Sequence, residues 1–384
     1  MAGRFPALPL AIRPPFAPME ARSAAEIPRG ERWTYEPKWD GFRCLVFHAG
    51  DVVALQSKSG QPLTRYFPEL VEAVTALPER RFVLDGEIVV GVDGRLDFDA
   101  LLQRIHPAAS RVRRLAAETP CSFLAFDLLL EERRDLTSRP LRERRAALER
   151  FCGSVPAGSL VQLSPATDDR AVAERWMRDL DTIGLDGVVA KLAGEPYHSG
   201  DRDGMVKVKR LRTADCVVGG FRHAQGSRAI GSLLLGLYDD GLLHHVGFAA
   251  SFTASERAAL RKVLEPHVGG SGFSGNAPGG PSRWSTDRSA EWQPLDPVLV
   301  CEVRYDHFSG GRFRHGCKFL RWRPEKVPTS CTFAQLGGAM RAKGARSKAA
   351  SGGSAPPRPA TSATRPRRPP AGVSPRRRTA PRPR

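Results

Sequence analysis

Short apolar runs rich in β-branched residues, parted by Gly, Asp and His turn residues, recur from Arg43 to Asp306 and restrict how this chain can fold. RCLVFHAGDVVALQS (43–57) predicts a hairpin turning at His48 to Asp51, RFVLDGEIVVG (81–91) a further strand, and CSFLAFDLLL (121–130) a short buried strand. Runs of this period have to be buried in sheets, with helices confined to covering them. One helix is predicted from Arg170 to Ile183, where Val172, Trp176, Met177, Leu180 and Ile183 recur at helical spacing. Asp168 and Asp169 can cap its start and Gly184 can stop it. LDGVVAKL (185–192) and GMVKVKR (204–210) then read as strands.

After Arg212 the pattern shifts to DCVVGGFRH, GSLLLGLYD and LLHHVGFAA, a helix near Ser255 to Leu264, a Gly-rich loop and VLVCEVRYD. Five or so short strands with one helix predict a small β-barrel of the OB type, a fold often used to hold nucleic acid. The expected organisation is an α+β domain over 1–212, the barrel over 213–337 and a tail over 338–384. With 384 residues, 41% of them apolar, the chain has material for two such cores.

The formal charge of +18 is unevenly spread. Arg341 to Arg384 hold thirteen Lys and Arg and no Asp or Glu, which leaves about +5 for the first 340 residues. The tail lacks aromatics and is dominated by Pro, Arg, Ala, Ser and Gly, so it is expected to be disordered and basic. Seven scattered cysteines without a Cys-x-x-Cys pair argue against a disulfide framework or a zinc ribbon and favour a reducing cytoplasm. No apolar run approaches the roughly 18 residues of a membrane span, and prolines break the first 18 residues where a signal peptide needs an apolar core.

The chemistry centres on EPKWDGFR (36–43). A lysine amine is a nucleophile only when neutral, and Lys38 has Trp39 to desolvate it and Arg43 to repel its charge. If the electrophile is a nucleoside triphosphate, the site must add cations for phosphates, carboxylates for a metal and a ring for the base. Lys207 and Lys209 fall on one face of a strand, Asp85, Glu87 and Asp186 are expected at strand ends, and Phe126 lies in a strand facing a cavity or the core. Taken singly, each has a plainer reading: a solvated sheet face for the lysines, core for Phe126, an exposed turn for Glu87.

KWDG (38–41), SKSG (57–60), LDGEIV (84–89), FLAFD (123–127), DGVVAK (186–191), KVK (207–209) and RWRPEK (321–326) together resemble the serial motifs of the covalent nucleotidyltransferase superfamily. EPKWDGFR, VCEVRYDHFSGGRFRHG and KFLRWRPEK are most similar to short bacterial ATP-dependent DNA ligases, stand-alone relatives of the ligase domain of end-joining polyfunctional ligases. The likeness covers roughly residues 13 to 335. It implies a nucleotidyltransferase (adenylation) domain of antiparallel sheets with flanking helices, followed by the OB-fold domain. It also implies that Lys38 takes AMP from ATP, passes it to the 5′-phosphate of a nick in double-stranded DNA, and that the 3′-hydroxyl then displaces it. Glu36 would meet the adenine amine, Phe126 stack on the ring, and Arg43 and Glu87 hold the ribose side. Lys58 and Lys191 would join the ATP contacts, Lys207 and Lys209 would bind the α-phosphate, and Glu87 and Asp186 would hold Mg²⁺ or Mn²⁺. Arg323 and Lys326 would swing in from the barrel to orient pyrophosphate.

Asp186, Glu325 and Lys58 stand where glutamate, aspartate and arginine are usual in that family, keeping charge but changing reach. About 35 residues precede Lys38, too few for the helical DNA-binding domain of larger ligases, so the two domains and the tail would supply the grip. The same motifs leave open an RNA ligase, a GTP-using capping enzyme, or an OB-fold binder in which Lys38 is inert. A monomer associated with the nucleoid, serving repair or end joining, with a bacterial Ku-type partner and no membrane attachment, completes the expectation.

Overall fold

A computed structural model describes residues 4–180, 184–279 and 291–336. Ile183, the predicted end of one helix, and the whole of the predicted tail lie outside the described residues.

The predicted hairpin is formed by β2 (Phe42–Ala49) and β3 (Val52–Ser57), with β1 (Trp33–Trp39) ahead of it. Chain order continues with α1 (Pro68–Thr75), β4 (Arg81–Val92), α2 (Phe98–Leu102), α3 (Ala109–Glu118), β5 (Cys121–Glu131) and α4 (Leu141–Gly153). β6 (Val161–Leu163), α5 (Arg170–Arg178), β7 (Leu185–Leu192) and β8 (Met205–Lys209) complete this part. One sheet runs β3–β2–β4–β5, all antiparallel neighbours, and the other β8–β7–β1. CSFLAFDLLL belongs to an 11-residue strand rather than a short one, because buried residues continue to Leu130. α5 ends at Arg178, short of Ile183; Asp169 caps its start by accepting from the Ala171 amide.

The first sheet is apolar on both faces and the second on the face away from it, which forces a layered arrangement. Cys44, Val46, Phe82, Leu84 and Phe123 face the cover made by α1, α2 and α4. Leu45, Phe47, Val83 and Leu129 face the other way, against Leu8, Leu10, Ile12, Tyr197 and Met205. α5 closes the far side of the second sheet through Ala173 on Val188, Ala190 and Val208. The space left between the sheets is where charged strand residues gather.

β9 (Arg212–His223), β10 (Ile230–Asp239), β11 (Leu242–Ala249), α6 (Ala254–Leu264), β12 (Val300–Tyr305) and β13 (Lys318–Trp322) form the second body. Their order is β11–β10–β9–β12–β13, and an isolated parallel bridge from Ala249 to Cys317, the residue before β13, brings the two outer strands together. That closure removes the sheet's open edges and produces the expected OB barrel. Its strands reach twelve residues, longer than the sequence pattern indicates, because bulges in the β9–β10 pairing let β9 bend around the barrel. α6 plugs the barrel with Leu260 and Leu264 and starts from a capping box of Thr253 and Glu256. All seven cysteines are free thiols. No helix among the described residues is long and apolar enough to cross a membrane.

Candidate active site

A cleft of about 690 Å³ opens between the two sheets, lined from β1 by Glu36 and Lys38, from β2 by Arg43, and by Lys58, Glu87, Phe126, Lys191 and Lys207. That volume suits a nucleotide-sized molecule. The Gly after Asp40 has a steric reason: a Cβ on Gly41 would run into the Ile88 carbonyl oxygen and the Glu87 side chain. Only glycine lets the turn from β1 to β2 pass this close to β4.

Asp186 is brought to Lys38 by a bulge. Leu185 pairs with Trp39 and Gly187 with Lys38, leaving Asp186 as the extra residue whose side chain is turned inward. Its carboxylate accepts from Lys38 Nζ at 2.6 Å and pairs with Lys209 Nζ at 2.9 Å. Burial works against the charged form, yet the two ammoniums outweigh it and hold Asp186 below the usual carboxylate range. Burial, with Lys38, Lys58 and Lys209 close by, pushes the Lys207 ammonium down. These four lysines form one cationic cluster, with Asp186 shared between two of them. Arg43, expected to act on Lys38 as a bare cation, instead forms a forked ion pair with Asp85 (Nε to Oδ1 2.7 Å, Nη2 to Oδ2 2.6 Å).

Asp85 and Glu87 sit in the middle of β4, not at a strand end, and both point between the sheets because they are two residues apart. Asp85 is fully buried and committed to Arg43. Burial raises the Glu87 carboxyl to about 7, partly offset by Lys38 and Arg43. Two carboxyls beside a cationic cleft suit a hard divalent ion that takes its remaining oxygens from phosphates and water. No group of three or more protein ligands forms among the described residues.

At the other end of the cleft, Glu36 is 2% exposed and paired with Lys191 at 2.8 Å, while its Oε1 has no hydrogen-bond partner. Lys191 Nζ lies 4.6 Å and Arg43 Cζ 4.8 Å from the Phe126 ring centroid. Phe126 therefore lines the cleft rather than the core, beside a buried acceptor that lacks a donor.

Arg323 and Lys326 are not brought to this cleft. Arg323 is held on the barrel by Asp215, Glu302 and Glu325, and Lys326 by Asp215. The barrel instead presents residues 306–315: Asp306 meets Lys209 at 3.2 Å and Arg314 meets Asp40 at 2.6 Å. Sequence reasoning also missed Glu20, which lines the cleft and holds Lys58 at 3.3 Å and Arg202 at 3.1 Å. Asp306 lies within a family-like run, but nothing in its spacing signals a contact across 97 residues.

Two family models match the chain, the ATP dependent DNA ligase domain over residues 18–209 and the ATP dependent DNA ligase C terminal region over 226–326. The chain belongs to the ATP-dependent DNA ligase family. It is 48% identical over 345 residues to DNA ligase C of Mycobacterium tuberculosis, covering 85% of this chain and 95% of that one. It is 47% identical to DNA ligase C1 of Mycolicibacterium smegmatis, with 85% and 95% covered. The multifunctional non-homologous end joining DNA repair protein LigD of M. tuberculosis is 31% identical over 307 residues, 78% of this chain but 37% of LigD. Among solved structures, a Lig E DNA ligase shares the fold with a TM-score of 0.54 at 17% identity, covering 80% of this chain and 99% of that one. In this ligase family member the mixed α/β fold and the OB-fold domain stand as the sequence motifs implied.

Proposed function

We propose that the chain seals nicks in double-stranded DNA with ATP through a lysyl-AMP intermediate on Lys38, its catalytic domain ending near Arg212. The observation that carries this reading is the pairing of Lys38 with Asp186 inside the lysine cluster, in the same cleft as the donorless Glu36 Oε1. Glu36 would accept from the adenine amine and Phe126 would support the ring. Arg43 and Glu87 would face the ribose side, and Lys58, Lys207 and Lys209 would draw the triphosphate's charge toward Lys38. Lys38 Nζ then bonds to the α-phosphorus as the bond to the bridging oxygen breaks and pyrophosphate leaves; the amine's proton passes through Asp186 to solvent. The same lysines would hold AMP while a DNA 5′-phosphate displaces Lys38, and while the 3′-hydroxyl displaces AMP.

Mg²⁺ or Mn²⁺ would be held by Glu87 and Asp186 and would neutralise phosphate charge. Asp186 is already shared between two ammoniums, so Glu87 is the stronger of the two candidates. Arg323 and Lys326 would reach pyrophosphate only after the barrel turns from its present orientation. A monomer acting at the nucleoid, in end joining with a Ku-type partner or in other repair, fits the likeness to LigD.

Incubation with labelled ATP, GTP or NAD, then a denaturing gel and a nicked duplex, tests the reading. An adduct with ATP alone that chases into sealed DNA is the expected result. A GTP adduct would indicate a capping enzyme, preference for an RNA nick an RNA ligase, and no adduct an OB-fold binder.

A further inference from the structure

Tyr197 lies in the connection between β7 and β8, outside every motif that suggested the reaction. It is buried, and both functions of its hydroxyl are used. The hydroxyl donates to Asp85 Oδ2 at 2.6 Å and accepts from the Met19 amide at 2.9 Å. The same Asp85 oxygen accepts from Arg43 Nη2 at 2.6 Å, and that Nη2 also donates to the Met19 carbonyl at 3.1 Å. Tyr197, Met19, Arg43 and Asp85 thus close a ring of hydrogen bonds. Asp85 Oδ1 takes Arg43 Nε at 2.7 Å. Among the described residues this leaves Nη1 as the guanidinium nitrogen with no protein acceptor, on a side chain that lines the cleft and lies over Phe126.

We propose that Tyr197 is a positioning residue for nucleotide selection: through Asp85 and Met19 it fixes the plane of Arg43 so that Nη1 meets a ribose hydroxyl of the bound nucleotide. The proposal rests on reading the cleft as the ATP site. A guanidinium held at two nitrogens by one carboxylate is fixed in its plane. Its remaining donor then has a single direction, and a hydroxyl placed there is recognised without rearrangement. Removing the phenol oxygen leaves the Met19 amide without its acceptor and Asp85 Oδ2 with one donor fewer, so the ring opens at Tyr197 and the two groups that hold Arg43 each lose a restraint. Packing against Phe16, 6.3 Å away between ring centroids, needs only the aromatic ring and survives in phenylalanine.

The test is adduct formation by the full chain and its Tyr197→Phe variant with ATP, 2′-deoxyATP and 3′-deoxyATP. The wild type should prefer ATP to at least one deoxy analogue. In the variant the KM for ATP should rise about tenfold, the worth of one hydrogen bond to a charged group. Its rate at saturation should stay within about twofold of wild type, and the preference for ATP over that analogue should collapse toward one, since only uniform binding has been lost. An equal loss with all three nucleotides, a fall in the saturating rate alone, or no change would overturn the proposal. If the variant does not fold, Arg43→Lys should show the same loss of preference, because an ammonium cannot fork; retained preference would overturn it. A wild type that forms no ATP adduct defeats the ligase reading itself, whereas one that forms it without preferring ATP over either analogue defeats only this inference.

Discussion

At the residue scale, chemistry depends on what each charged group already holds. Lys38 is engaged by Asp186 and, among the described residues, has no second acid within bonding distance, so in the proposed reaction its amine gives up that bond to attack phosphorus. Lys38→Arg should form no adduct from ATP, because a guanidinium does not become a neutral nucleophile. Assayed on a nick supplied already adenylylated, the variant's residual sealing would place the defect at the first step; a labelled adduct in the variant would rule Lys38 out. Glu87 carries a pH signature. Its carboxyl titrates near 7 because it is buried, so below that pH a cation must first displace its proton. The Mg²⁺ concentration that half-saturates adduct formation should therefore rise about tenfold per unit as pH falls below 7 and level off above it. Glu87→Gln should weaken Mg²⁺ and flatten that dependence. A Mg²⁺ titration across pH with both proteins measures it, and a slope surviving in the variant assigns the proton elsewhere.

At the element scale, the site depends on where strands depart from regular pairing. The bulge at Leu185–Gly187 aims Asp186 between Lys38 and Lys209, and Gly187 sits there at φ +153°, with the Val208 carbonyl oxygen where a Cβ would stand. Gly187→Ala should cost roughly 2–4 kcal/mol of stability through strain and overpacking. It should also slow adduct formation more than the loss of folded protein explains, by moving Asp186. Thermal melts alongside adduct rates check this, and a variant with the wild-type rate per folded molecule would show that the bulge does not set the geometry. The register of β2 on β4 does similar work by setting Arg43 opposite Glu87 and diagonal to Asp85. A sequence pattern marks that these residues lie on strands; that Arg43 pairs with Asp85, 42 residues away, is chosen by packing.

At the scale of the whole molecule, the barrel faces the cleft with Asp306 and Arg314 and keeps Arg323 and Lys326 tied to its own acids. The contacts of residues 306–315 with Lys209 and Asp40 occupy groups near Lys38, and a barrel turned to bring in Arg323 would have to break them. Beyond the barrel, the thirteen positive charges of the last 44 residues bear on DNA affinity. Truncation after residue 338 should leave the ATP adduct intact, since every candidate for that step precedes it. Affinity for a nicked duplex should fall, and the slope of log affinity against log salt should flatten by about 0.9 for each phosphate that the tail had neutralised. Equal slopes for the two proteins across a salt series would show that the tail does not bind DNA.

The sequence alone determined the strand-rich class, the barrel, the uneven charge and the lysine proposed as nucleophile, because each is written in local residue period, composition or a contiguous motif. It also brought forward Glu36, Glu87, Phe126, Lys191 and Lys207, all of which line one cleft. Tertiary structure alone decided which charges are spent on one another. Arg43 answers to Asp85, Asp85 also to Tyr197, Asp186 to two lysines at once, and Lys209 to Asp306 from the barrel. These partners lie 23 to 148 residues apart along the chain, and their pairing follows from sheet register, one bulge and the docking of two cores. Such choices are made by packing over distances at which the sequence carries no periodic signal.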